Sequence, residues 1–198
     1  KFKYLLLPVL LLIVNITLVS CEEDQDEVDD QVMFMNLVEL ASSDPDLSNL
    51  VAALVAADGN LPAVLSGPEG FTVLAPSNAA FEAFLSANNF SSLGEVPTDV
   101  LSQILLNHVI SGRIASTDLV GLGSGYAQTN ATGAGNQPMS MYFDTSNGVT
   151  FNGVSTVTDA DLVATNGIVH KVDAVIGLPT IVDHAVANPN FSSLVGAL

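Results

Sequence analysis

The only cysteine in this 198-residue chain is Cys21, and it sits at the end of an apolar N-terminal run. Everything after it therefore folds without a disulfide, so the body must be held by its hydrophobic core. The material for such a core is present: 48% of the residues are hydrophobic, and with no Trp the side chains are mainly aliphatic. One ordinary domain plus short terminal segments fits the length. The formal net charge is −17, and the only Lys and Arg are Lys1, Lys3, Arg113 and Lys171. Phosphate recognition needs clustered cations, so nucleic acid is excluded as a partner. An acidic surface favours solubility and basic partners.

Residues 1–20 read as an export signal, with Lys1 and Lys3 before an aliphatic stretch from Leu5 to Val14. The sequence Leu18-Val19-Ser20-Cys21 resembles the lipobox of bacterial lipoproteins. That resemblance implies diacylglyceryl transfer to the Cys21 sulfur and cleavage before it. Each buried acyl methylene contributes about 0.8 kcal/mol, so two or three chains hold firmly. A transmembrane anchor fits less well, because Phe2 to Val19 is short for a span and contains Pro8, Asn15 and Thr17. From Glu22 to Asp30 seven of nine residues are acidic, which makes residues 21–32 a self-repelling, solvated tether. Acidic stretches in this position resemble those of surface-exported lipoproteins. The expected location is therefore the bacterial outer membrane, lipid-anchored and facing outward.

In the body, helical spacing appears at Leu37, Leu40 and Ala41, then at Leu47, Leu50, Val51 and Leu54. Asp44-Pro45-Asp46 separates the two, with Asp46 or Ser48 as candidate caps. A short helix is expected near Asn60 to Leu65. Phe71 to Ala75 reads as a buried strand ending at Pro76, and Ser77 caps a helix carrying Phe81, Phe84 and Leu85. Another helix opens at Pro97-Thr98-Asp99 and runs into a strand at His108-Val109-Ile110. The second half is β-rich: Met139 to Phe143, Val149 to Phe151 and Gly167 to Val172 are separated by turn residues. Helices first and strands later indicate an α+β domain rather than a parallel α/β sheet.

Shifting the sequence by 144 residues lays Ile181 to Ala185 over Leu37 to Ala41. Pro189, Ser192, Leu194 and Val195 then fall on Pro45, Ser48, Leu50 and Val51 without a gap. Residues 180–198 are thus expected to open a second, truncated copy of the same domain.

Three segments share one pattern in order and spacing. Gly70-Phe71-Thr72-Val73-Leu74-Ala75-Pro76-Ser77-Asn78-Ala79-Ala80-Phe81 resembles the first signature of fasciclin (FAS1) domains. Leu105 to Gly112 resembles their central His-containing segment, and Asn166 to Ile176 their closing signature. The resemblance covers residues 33–178. It implies a β-wedge of two sheets flanked by N-terminal and central helices, with adhesion to proteins, matrix or polysaccharide on a surface. In some animal members a Tyr-His pair in the central segment is linked to integrin binding. Here Asn107 stands in place of the Tyr, so Asn107 and His108 form a candidate interaction segment in which only His108 carries over.

Chemistry finds little support elsewhere. His108 and His170 read as buried side chains bonded to backbone, since neither has a partner at metal spacing. Gly121-Leu122-Gly123-Ser124-Gly125 departs from the nucleophile elbow at Leu122 and from the dinucleotide fingerprint at Tyr126, leaving a flexible loop. Thr129 to Pro138 is similarly turn-prone. Asp159 and Asp161 offer two carboxylates where Ca²⁺ takes about six to eight oxygens, so they read as a solvated turn. With no thiol nucleophile in the body and no triad order, no enzyme, metal or cofactor is expected. The alternative to adhesion is binding of an apolar, carotenoid-like molecule, or of polysaccharide.

Overall fold

A computed structural model describes residues 35–197. The expected signal segment, the acidic tether and Cys21 lie outside the described residues. No described helix is long and apolar enough to cross a membrane.

Asn36 starts the first helix by accepting from the N–H groups of Val38 and Glu39, while Glu39 reaches back to the Asn36 N–H. Helix α1 (Leu37–Ser43) then gives way to a 3-10 turn, Pro45–Leu47. Neither Asp46 nor Ser48 caps here. Asp44 does, because Pro45 forces the residue before it into an extended conformation that aims its carboxylate at the Asp46 N–H, 2.9 Å away. Helices α2 (Ser48–Ala56) and α3 (Leu61–Leu65) follow.

Strand β1 (Phe71–Pro76) is buried at every position, which explains a sequence apolar but for Thr72, whose hydroxyl donates to the Gly112 carbonyl. Ser77 ends it and caps α4 (Asn78–Ala87). After α5 (Thr98–Asn107), His108 closes the helix instead of starting the strand, and β2 runs Val109–Ser111. Then come α6 (Ser116–Leu122), β3 (Ser124–Thr132), β4 (Pro138–Asp144), β5 (Thr150–Phe151), β6 (Ser155–Ala164) and β7 (Gly167–Val172).

The strands pair in sequence order and close through β1 and β7. That closing pair is parallel, from Phe71 opposite Gly167 to Pro76 opposite Val172, and all other pairs are antiparallel. The two sheets of the expected wedge thus share β3 and β6. Both shared strands carry register breaks, β3 between Gln128 and Thr132 and β6 at Val157–Asp159 and Asp159–Leu162. Such bulges bend a strand so that it can serve two sheets.

Apolar residues divide accordingly. Leu37, Leu47, Leu50, Phe81, Leu101 and Leu105 of the helices meet Phe71, Val73 and Val169 on the outer face of β1 and β7. Leu74, Met141, Phe143, Phe151, Val172 and Ile176 form a second cluster among the strands. β1 alternates between the two, with Val73 on one side and Leu74 on the other.

The last elements repeat the construction of the first. Helix α7 (Ile181–Ala187) opens with a capping box between Thr180 and Asp183, where α1 has Asn36 and Glu39. Asn188 caps a 3-10 turn at Pro189–Phe191 as Asp44 caps Pro45–Leu47, with nearly the same backbone angles. A short α8 (Ser192–Val195) follows.

Candidate functional site

The three signature segments meet at the centre of the fold. β1 lies between β2 and β7, so the first signature is flanked by the other two. Their polar residues act as fasteners. Asn166, at the turn before β7, accepts from the Leu37 N–H at 2.9 Å and donates to the carbonyls of Leu65 and Gly67. Asn78 holds the start of α2 by accepting from the Asn49 N–H and donating to the Pro45 carbonyl.

His108 is 2% exposed. Its Nε2 accepts from the Ile176 N–H at 3.0 Å, so Nδ1 carries the proton and donates to the Ile104 carbonyl at 2.8 Å. Burial pushes its pKa down to about 4, against the raising effect of the Ile104 bond. Asn107 is also inward: it donates to the Gly177 carbonyl at 3.0 Å and accepts from the Thr129 hydroxyl at 3.1 Å. The candidate pair therefore ties the end of α5 to β3 and to the segment after β7.

His170 is 1% exposed. Its Nδ1 accepts from the Asp161 N–H at 3.1 Å, so Nε2 donates to the Ile114 carbonyl at 3.0 Å. With Nδ1 occupied as an acceptor, the 4.0 Å approach of the Asp161 carboxylate is not an ion pair. Asp161 and Asp159 belong to β6 and not to a turn; Asp161 has a φ of 61° at the bulge. The Ser116 hydroxyl, opposed by partial burial, holds the Asp161 carboxyl below its ordinary pKa. Among the described residues no group of three or more His, Cys, Asp or Glu side chains is placed to hold a metal ion.

The Gly121–Gly125 segment is ordered as a joint instead of a loop. α6 runs through Leu122, Gly123 turns the chain at a φ of 75°, and β3 begins at Ser124. Thr129 to Thr132 likewise belong to β3, and only residues 133–137 turn. A cleft of about 670 Å³ opens between α5, α6 and β3. Leu106, Ile110, Ile114, Leu119, Leu122, Tyr126 and Phe143 supply its apolar lining, and Ser111, Gln128, Thr129 and Asn130 its polar groups. Apart from the Tyr126 phenol it has no titratable side chain. Sequence reading missed this site because the glycines around Leu122 hid the helix end. The signal available was Leu119 and Leu122 at helical spacing, followed by Tyr126 on a strand.

Residues 45–179 match the model of the fasciclin domain. The chain belongs to the fasciclin family. Over 142 residues it is 36% identical to Protein sll1483 of Synechocystis sp., covering 72% of this chain and 73% of that one. Over 141 residues it is 34% identical to the uncharacterized protein sll1735 of the same organism, covering 71% of this chain and 96% of the relative. A third relative, transforming growth factor-beta-induced protein ig-h3 of Sus scrofa, is 29% identical over 132 residues, which span only 18% of its length. Among solved structures, a fasciclin domain pair from the insect cell adhesion molecule Fasciclin I superposes with a TM-score of 0.51 at 24% identity. That match covers 76% of this chain and 52% of the insect one, and it concerns the fold alone. Fasciclin domains are generally adhesion-related, non-catalytic and extracellular or surface-located.

Proposed function

We propose that this chain is a lipid-anchored cell-surface module that binds a protein or matrix partner through the α5–α6–β3 cleft and performs no catalysis. The composition of that cleft carries the reading. Its side chains are apolar or neutral hydrogen-bonding groups, which suit recognition, while acid–base or nucleophilic chemistry needs titratable groups in position. Both buried histidines of the body spend their ring nitrogens on backbone groups. The lipobox-like sequence ending at Cys21, with the acidic residues after it, would hold the module outside the bacterial outer membrane. Residues 180–198 would open a second fasciclin copy, a reading supported by the matched caps of α1 and α7.

Host cells making the protein with Cys21→Ser test the anchored role. Lost attachment and aggregation, with folded protein shed to the medium, is the expected result. Unchanged attachment with the variant shown to be unanchored contradicts it. A second reading, a carrier of an apolar small molecule, draws on the same lining. Protein purified from its own host with an apolar ligand bound in the cleft would favour it, and ligand-free protein would oppose it.

A further inference from the structure

Residues 180–195, with α7, the 3-10 turn and α8, present two faces with different surroundings. His184, Ala187 and Asn188 share one face at i, i+3 and i+4 spacing. This face lies on the strand body. The Asn188 Nδ2 donates to the Tyr126 hydroxyl at 3.1 Å, the His184 and Tyr126 rings are 6.0 Å apart, and Ala187 packs on Gly153 of the β5–β6 turn. A Cβ at Gly153 would stand 3.8 Å from the Ala187 Cα, in ordinary van der Waals contact.

Asn188 is 6% exposed and its single amide does two things. The oxygen caps the 3-10 turn at the Asn190 N–H, and the nitrogen bonds Tyr126. Its counterpart in the first copy is Asp44, a carboxylate 2.9 Å from Lys171. A carboxylate at position 188 could accept from the Asn190 N–H and the Tyr126 hydroxyl but could donate to neither, and burying its charge is costly. An amide supplies both the acceptor and the donor that the place requires.

The second face is bare. Ile181, Phe191 and Leu194 are 88%, 43% and 53% exposed, whereas their counterparts Leu37, Leu47 and Leu50 are 3%, 1% and 3% exposed. We propose that residues 180–195 are a two-faced joint: one face docks on Tyr126 and Gly153, and the other enters the core of a second fasciclin body, which is thereby held at a fixed orientation to the first. This rests on the second-copy reading above, and the occupant follows from position: Ile181, Phe191 and Leu194 match residues that the first body buries, whereas the equally bare Val182 and Val186 match half-buried Val38 and exposed Ser42.

Hydrogen exchange on the full chain tests the docked face. A seven-residue helix does not persist alone, so undocking frees its amides. In the wild type the His184 and Asn188 amides are expected to be protected. Tyr126→Phe and Ala187→Arg should each speed their exchange about tenfold or more, with the amides of β1 and β7 unchanged. Ile181→Asp, on the bare face, should leave them protected. Open-chain rates in the wild type, or no effect of Tyr126→Phe and Ala187→Arg, overturn the docked face. Faster exchange in Ile181→Asp overturns the assignment of two faces. Native sequence beyond residue 198 without a fasciclin pattern would remove the second copy and overturn the bare face's role, while the exchange of α7 stayed as it was.

Discussion

Asn166 fastens three pieces of backbone with one amide: the first turn of α1, the end of α3 and the turn leading into β7. Losing it would leave a buried N–H and two carbonyls short of partners, each such group costing about 1–3 kcal/mol. His108 does the corresponding work between α5 and Ile176, and it carries a pH dependence. Its folded pKa is about 4, below the ordinary histidine value of 6.5. Between those values the unfolded chain binds the proton that the folded one refuses. Stability from this residue is thus fully present above the unfolded value and is lost as pH falls toward 4. The loss amounts to about 3 kcal/mol, an order-of-magnitude figure. Urea midpoints at pH 7 and pH 4.5 check it: His108→Gln, whatever its cost at pH 7, should fall less than the wild type over that interval. Equal falls would mean that His108 is not the titrating group. Asp44 and Asp161, whose pKa values are lowered by Lys171 and Ser116 respectively, act in a lower window, below the ordinary carboxylate range.

At the scale of elements, β7 and α1 depend on the absence of a side chain. A Cβ on Gly167 would meet the Phe71 carbonyl oxygen at 2.4 Å and Leu37 at 2.7 Å. The oxygen belongs to the parallel partner strand and cannot swing aside. Gly167→Ala should therefore cost about 3 kcal/mol or more, read as a lowered unfolding midpoint. Gly121→Ala in α6, with nothing within 4 Å, should be neutral or gain up to about 1 kcal/mol. What could be read from sequence follows the same physics. β1, β7, α4 and α5 were legible because each has an apolar run or stripe, and the two helices open at clear start signals, the Ser77 cap and Pro97. β6 was not: its bulges break the alternation, and Thr158, Asp159 and Ala160 face solvent, so the strand resembles a turn. The α6–β3 joint was hidden by three glycines, and the cleft with it. The His108–Ile176 and Asn107–Gly177 bonds join residues about seventy apart, a pairing that no local pattern encodes.

Across the whole molecule, the polar residues that mark the family hold the fold, and the cleft shares only Leu106, Ile110 and Ser111 with the signature segments, while its rim at Leu122 and Tyr126 lies outside them. Asn166, Thr72, His108 and His170 are buried and bonded inward. A family match thus identifies the scaffold, while under the proposed function the partner would be chosen by Leu122, Tyr126 and their neighbours. This separation explains how a shared frame can serve different partners, since the rim can change without disturbing the core. It also makes the central claim accessible to one substitution. Leu122 is 69% exposed at the edge of the cleft, so a charge there should not disturb folding. The direct measurement compares attachment of host cells displaying the wild type with cells displaying Leu122→Asp at equal surface level. The expected result is a loss of attachment of about tenfold or more, since a bound partner would cover the new carboxylate without a counter-charge. Unchanged attachment by a folded, fully displayed Leu122→Asp protein would contradict the assignment of the cleft as the binding surface.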